Sequence, residues 1–375
     1  VETVRRPGYR LEKLVFESRP GVFVPAYRTF PESPDFKAPY PGVAIACGHS
    51  KEGKGWDGYL HAAVLSAQHG FAAIVYDPVE QGERASPVAR EKGPCVAHNF
   101  LGAKAVLVGQ SLAAIRIWDG MRAIDCLLES PEVDAAKIGF MGNSGGGTMT
   151  SLMMCADPRI RAAAPSCFLT NLREVCDHKG PQDAEQNVFG QLAFGLNHAG
   201  YVLMSDIPVL MVTKVNDNFS FHGSLDTYSV ARGLMRRLGK EARVALYSDP
   251  GPHGWTEGGR LASLDWMRAW MYGEKSVLPL DVPAYRLNSI GYTDRISDGE
   301  LPIPERNVVS GDVLTLEGAK DYHTVLAEES DRLSSGRAML SLGERRRWAA
   351  TLAGVRLPSA AKVRVKALGN GETNG

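Results

Sequence analysis

Charge of one sign is missing from this sequence: 42 basic residues stand against 42 acidic ones, so the chain carries no net field. That balance argues against a nucleic acid or an anionic membrane surface as a partner. Long apolar runs are missing as well. No stretch approaches the roughly 18 residues of a membrane-spanning helix. The opening Val1-Glu2-Thr3-Val4-Arg5-Arg6 is not a charged-then-apolar leader, so any signal peptide is expected to be removed or never present. The third absence is a cysteine framework. Cys47, Cys95, Cys126, Cys155, Cys167 and Cys176 show no C-x-x-C and no zinc-type spacing. Cys47, Cys126 and Cys155 fall in apolar surroundings and read as small buried hydrophobes. Cys167 and Cys176 are open to either a bridge or two free thiols. Cys176-Asp177-His178 has no further ligands in step with it, so neither a metal nor another cofactor is expected. The compartment stays open, with a secreted or periplasmic location preferred to a cytoplasmic one. No internal repeat is present.

What is there is length enough for a large core, 375 residues, and an alternation of strand and helix signals. Leu11 to Ser18 and Val22 to Phe30 read as two antiparallel strands turning at Arg19-Pro20-Gly21. Gly42 to Cys47 and Phe71 to Tyr76 are unbroken apolar runs, the pattern of strands buried on both faces. A helix runs from Asp57 to His69. After the loop Val79 to Asn99, a long helix spans about Ser111 to Glu129, with Leu112, Ile115, Trp118, Met121, Ile124 and Leu128 as its inward stripe. Strands Ile160–Ser166, Pro208–Thr213 and Arg243–Ser248 follow, with helices about Ser224–Leu238 and Gly259–Tyr272 between and after them. Parallel crossover units of this length define an α/β fold with a doubly wound, mostly parallel sheet. Phe168 to Asp206 interrupts the rhythm as an insertion between late strands. Past Gly273 the pattern lapses into a proline-rich stretch and then charged helices over Glu328 to Gly354. A boundary near residue 275 therefore separates a catalytic domain, 1–275, from a C-terminal extension or partial second module, 276–375.

The chemistry concentrates at Lys137-Ile138-Gly139-Phe140-Met141-Gly142-Asn143-Ser144-Gly145-Gly146-Gly147-Thr148. An apolar strand runs into Gly-x-Ser-x-Gly and then a helix-compatible segment, which fits a sharp corner carrying an exposed serine. A serine needs a base, and the base needs an acid to hold its tautomer. The strand ending at Thr213 runs into Asp217, and the strand ending at Ser248 runs into Pro252-His253-Gly254. The order Ser, Asp, His makes Ser144, Asp217 and His253 the candidate catalytic residues. The Gly145 amide, next after the serine, is one oxyanion donor. The loop Gly48-His49-Ser50 offers the other, His49 N–H first and Ser50 N–H second.

Residues from about 10 to 273 resemble the α/β-hydrolase superfamily, and within it the acetyl xylan esterase-like, carbohydrate esterase and dienelactone-hydrolase-like branch. The matching residues are Gly48-His49-Ser50-Lys51-Glu52-Gly53, Tyr76-Asp77-Pro78 with Gln81-Gly82-Glu83-Arg84, and Trp118-Asp119-Gly120-Met121-Arg122-Ala123. The serine corner, Asp183-Ala184-Glu185-Gln186, Asp217-Asn218-Phe219 with Gly223, and Pro252-His253-Gly254 complete the set. The resemblance implies a serine carboxylic-ester hydrolase that removes short acyl groups, often acetyl, from a small-molecule or polysaccharide ester such as xylan. A peptidase or thioesterase with the same triad, or a non-catalytic carbohydrate-binding relative, is the alternative. One departure matters: the cephalosporin-C-deacetylase type carries Gln after the serine, where this chain has Gly145. In the insertion, Asn171, Glu185, Gln186 and His198 either read sugar hydroxyls, with Phe189 and Phe194 as stacking surfaces, or merely fasten the segment.

Overall fold

The computed structural model describes residues 2–178, 182–274 and 313–335, together with Ser341, Gly343, Glu344 and Arg347. Nine strands form one sheet in the order β1-β2-β3-β5-β4-β6-β7-β8-β9. They are β1 (Glu2–Arg6), β2 (Gly8–Arg19), β3 (Val22–Glu32), β4 (Tyr40–Ala46), β5 (Ala72–Tyr76), β6 (Val133–Asn143), β7 (Ile160–Ser166), β8 (Val209–Asn216) and β9 (Val244–Pro252). The β2–β3 hairpin is antiparallel, and so is its junction with β5; from β5 to β9 every neighbour is parallel. The doubly wound, mostly parallel sheet expected from the sequence is thus present.

Helices α1 (Asp57–Gln68), α2 (Pro87–Lys92), α3 (Pro94–Leu107), α4 (Leu112–Leu128), α5 (Gly145–Ala156), α6 (Leu172–His178), α7 (His198–Ser205), α8 (Phe221–Arg237), α9 (Glu257–Met271) and α10 (Tyr322–Ser335) complete the described elements. Two cores follow from the strand alternation, because successive side chains leave opposite faces of the sheet. Along β4, Val43 and Ile45 join the core under α1 and α9. Ala44 and Ala46 join the one under α4, α5, α7 and α8. Among the described residues no single helix is long and apolar enough to cross a membrane.

Strand β1 and helix α3 escape the sequence pattern for physical reasons. β1 is an edge strand whose residues are mostly exposed, so it shows no apolar alternation and is held by backbone pairing to β2. Helix α3 begins in the stretch read as the loop Val79 to Asn99. Pro94 occupies the first turn of this helix, where a missing N–H costs nothing. The inward face of α4 also differs from the expected stripe. Trp118 is 40% exposed, and the buried face instead includes Arg116 and Asp119.

The first compact unit extends past residue 275 to Glu329. Residues 275–312 lie outside the described residues, as does most of the stretch read as charged helices. Within the first unit, Tyr322 and Leu326 of α10 pack with Val22, Val79, Leu101 and Ile115. The Tyr322 hydroxyl donates to Asp119 at 3.0 Å. Residues 313–329 therefore belong to the first unit.

Candidate active site

The sheet order reverses around β4: β5 lies on one side of it and β6 on the other, with Ala46 paired to Gly142. Crevices beyond the carboxyl ends of strands at such a reversal are where open α/β sheets bind ligands. Here the reversal puts the loop after β4, with His49, beside the corner after β6, with Ser144. At that corner Ser144 has φ 59° and ψ −120°, a strained conformation for a residue with a side chain. Its N–H donates to Ser166 O at 2.9 Å, which ties the corner to β7. Two glycines make room for the bend. A Cβ at Gly142 would lie 2.4 Å from Ala46 O, and one at Gly146 only 2.0 Å from the same oxygen. Helix α5 starts at Gly145, so the Gly145 amide is one of the N-terminal donors a helix leaves without an internal partner.

The structure brings Asp217 and His253 together. His253 Nδ1 lies 2.6 Å from Asp217 Oδ1, which also accepts the Phe219 N–H at 3.0 Å. The carboxylate on Nδ1 makes that the protonated nitrogen and leaves Nε2 as the basic one. Burial pushes the Asp217 carboxyl up, but the hydrogen bonds and charge of His253 outweigh it and hold the pKa below the ordinary value. Cys167 is a buried free thiol beside this pair, and Cys176 is free too, so the two are not bridged. Ser144 and His253 face one cavity of about 450 Å³.

In the loop after β4, Gly48 N–H is taken by the Tyr59 hydroxyl at 2.6 Å and Ser50 N–H by Gln81 Oε1 at 2.9 Å. His49 lies between these two committed amides, and its side chain lines the cavity.

The insertion residues separate into different roles. Gln186 lines the cavity. Glu185 is fully buried behind Gly145, whose added Cβ would meet Glu185 Oε1 at 2.2 Å, and it forms an ion pair with Arg116. His198 is buried away from the cavity: Thr170 N–H donates to its Nδ1 at 3.1 Å. Asn171 accepts Glu174 N–H at 2.8 Å and caps α6. Phe189 and Phe194 are 84% and 83% exposed and do not line the cavity. These contacts of His198 and Asn171 fit the second reading offered for them, that they fasten the insertion.

Burial holds the His198 pKa down at about 4, against an ordinary value of 6.5. The folded state therefore refuses a proton that the unfolded chain accepts. This contribution is intact above pH 6.5 and is lost as the pH falls toward 4, by about 3 kcal/mol in all. Urea midpoints measured across this range should fall less steeply for His198→Gln than for the wild type. Parallel slopes would show that His198 does not set the acid sensitivity.

Sequence reasoning missed three residues here: His98 on α3, Asp183 and Arg116. His49 Nε2 lies 2.6 Å from Asp183 Oδ2, and His98 Nδ1 lies 3.0 Å from the same oxygen. Burial lowers the His49 imidazole, yet the hydrogen bonds and charges of Asp183 and Cys95 more than offset it and hold the pKa at about 9. Burial holds His98 below its ordinary value. Arg116 Nη2 donates to Cys47 O at 2.9 Å, which braces the end of β4. The residues of this cluster are spread over more than a hundred positions, so no local spacing betrays them. The only signal was the Asp183–Gln186 stretch among the residues of resemblance.

No known protein family and no curated protein sequence matches the chain. Solved structures do. The methylesterase BT1017 aligns with 89% of this chain and 69% of its own at 19% identity, with a TM-score of 0.64. A Bacteroides fragilis NCTC 9343 protein assigned as an acetyl xylan esterase aligns with 66% of this chain and 68% of its own, at 15% identity and a TM-score of 0.55. An acylaminoacyl peptidase from Pyrococcus horikoshii reaches 0.50 at 17% identity, over 71% of this chain and 41% of its own. Esterases and a peptidase share this architecture, so the likeness defines the fold and leaves the chemistry to the site. The chain has the α/β-hydrolase fold.

Proposed function

We infer that the protein is a serine carboxylic-ester hydrolase acting through Ser144, His253 and Asp217. The observation that carries this reading is the 2.6 Å contact between His253 Nδ1 and Asp217 Oδ1, beside a cavity that His253 shares with the strained Ser144. Ser144 Oγ attacks the ester carbonyl while His253 Nε2 takes its proton. Asp217 holds Nδ1–H and stabilises the imidazolium. The oxygen that becomes negative is held by the His49 and Gly145 amides, a pair of donors worth about 3 kcal/mol each. Collapse breaks the bond to the alcohol oxygen, which leaves with the proton from His253. Water, deprotonated by the same nitrogen, then attacks the acyl-enzyme and releases the acid and the free serine.

The acyl group is short and the alcohol a carbohydrate in this reading, with acetylated xylan as the leading case. Amide and carboxyl side chains of Asn99, Gln182, Asp183, Gln186 and Asn218 line the cavity, and these suit a hydroxyl-rich ligand. Acetate release from acetylated xylo-oligosaccharides is the expected result, with p-nitrophenyl acetate as the general ester and methyl-esterified uronate oligosaccharides as the contrasting arm. Turnover of p-nitrophenyl acetate without acetate from any sugar, joined to methanol release in the contrasting arm, would overturn the acetyl assignment. It would leave the esterase assignment standing.

A further inference from the structure

We propose that His49, His98, Asp183 and Glu185 form a binding site for one divalent transition-metal ion, zinc by ligand type, in the wall of the catalytic cavity. One donor atom from each of the four lies within 4.8 Å of the others. His49 Nε2 and His98 Nδ1 are 3.1 Å apart, and each is within 3.0 Å of Asp183 Oδ2. Glu185 oxygens stand 3.5 Å from His49 Nε2 and 3.7 Å from His98 Nδ1. A tetrahedral ion with ligands at about 2.1 Å sets its donors about 3.4 Å apart, and these separations bracket that value.

The second shell fits as well. His98 Nε2 lies 3.0 Å from Val79 O and donates to it, which leaves the Nδ1 lone pair directed at the cluster. That lone pair faces the Asp183 carboxylate, an arrangement that repels unless something positive lies between them. The one proton His49 Nε2 can supply is shared between Asp183 and His98. The fully buried Glu185 carboxylate faces the same cluster from the other side. Arg116 is its cationic neighbour, as protonated His49 is that of Asp183. A divalent cation would take the place of the His49 proton and occupy all four donors at once. His49 and Asp183 also line the cavity, so the ion would sit in its wall. The ion would in addition fasten the insertion, through Asp183 and Glu185, to the β4 loop and α3.

Full-length protein dialysed against a chelator and titrated with zinc chloride in a calorimeter tests the site. One ion per chain is expected, together with a melting temperature that climbs with the logarithm of zinc concentration. Cobalt chloride should give the visible absorption of a tetrahedral centre. Asp183→Asn keeps the side-chain volume and should weaken zinc binding by at least 100-fold and abolish the cobalt spectrum; Glu185→Gln is a second variant of the same kind. His222→Ala removes an exposed histidine outside the cluster and should change nothing. Stoichiometric uptake failing in the folded wild type, or surviving unchanged in folded Asp183→Asn and Glu185→Gln, overturns the proposal. Binding is read without turnover, so the result is independent of the esterase reading.

Discussion

Replacing Ser144 by alanine is expected to lower kcat for p-nitrophenyl acetate by roughly 10⁵- to 10⁶-fold, with the melting temperature unchanged or raised. The loss is large because the three groups act as one unit: without the hydroxyl, His253 has no proton to take. The residue that remains also relieves the left-handed backbone only partly, since alanine at φ 59° is still strained. Asp217→Asn should cost about 10⁴-fold by a different route. An amide can donate to Nδ1 and so trap the imidazole in the wrong tautomer, while the Phe219 N–H keeps the side chain in place. Intact-mass spectrometry of the wild type with a slow ester should add one acyl group, and Ser144→Ala should add none. Equal rates for wild type and Ser144→Ala would end the esterase reading, whatever the cavity looks like.

The parts of this protein legible in its sequence are those governed by local rules. β7 runs over the residues its apolar run marks, and β4 and β5 fall within two residues of theirs, because a strand buried on both faces leaves an uninterrupted apolar signature. The serine corner is legible because only glycine fits where Ala46 O approaches. The Ser, Asp, His order places candidates on successive strand exits, and Asp217 and His253 do meet. Tertiary charge burial is where the reading stops. Arg116, Asp119 and Lys54 count as polar in any periodicity, yet all three are buried, and each is there because a partner from a distant segment meets it. His98 was hidden for the same reason.

The motif residues that carried the resemblance divide along this line. Ser144, Asp217 and His253 carry the proposed chemistry, but Asp77, Glu83, Arg84 and Asp119, with Lys54 just past the first motif, are placed to hold loops. Lys54 Nζ donates to Asp77 Oδ2 at 2.8 Å and to Glu83, while its N–H donates to Asp77 Oδ1. Arg84 then links Asp77 O to Asp119 Oδ2, both at 2.9 Å. The network thus pins the segment after β4 to the one after β5, and through Asp119 to α4. His49, with the amide proposed to face the oxyanion, lies five residues before Lys54.

Lys54→Met should therefore have the largest effect on stability of any substitution outside the cavity. Met fills the space but leaves two carboxylates buried without their cation, which destabilises by about 3–5 kcal/mol. The melting temperature should fall on the order of 10 °C. Because the β4 loop loses its anchor, kcat should fall more than KM rises, by up to about 10²-fold if the His49 amide leaves its place. The pH dependence gives the mechanism away. In the wild type, burial pushes Asp77 up while the Lys54 ammonium pulls it down; without the ammonium only the backbone N–H groups of residues 54 and 83 still oppose burial, and the folded-state pKa rises further. A raised carboxyl pKa means stability that is present at low pH and lost as the pH climbs through it. The deficit of Lys54→Met should accordingly be widest near neutrality and shrink on acidification, and Lys54→Met/Asp77→Asn should recover part of it at pH 7. A deficit that does not change with pH would point to lost packing of the lysine stem against Tyr27 instead, since the ring lies 5.0 Å from Nζ.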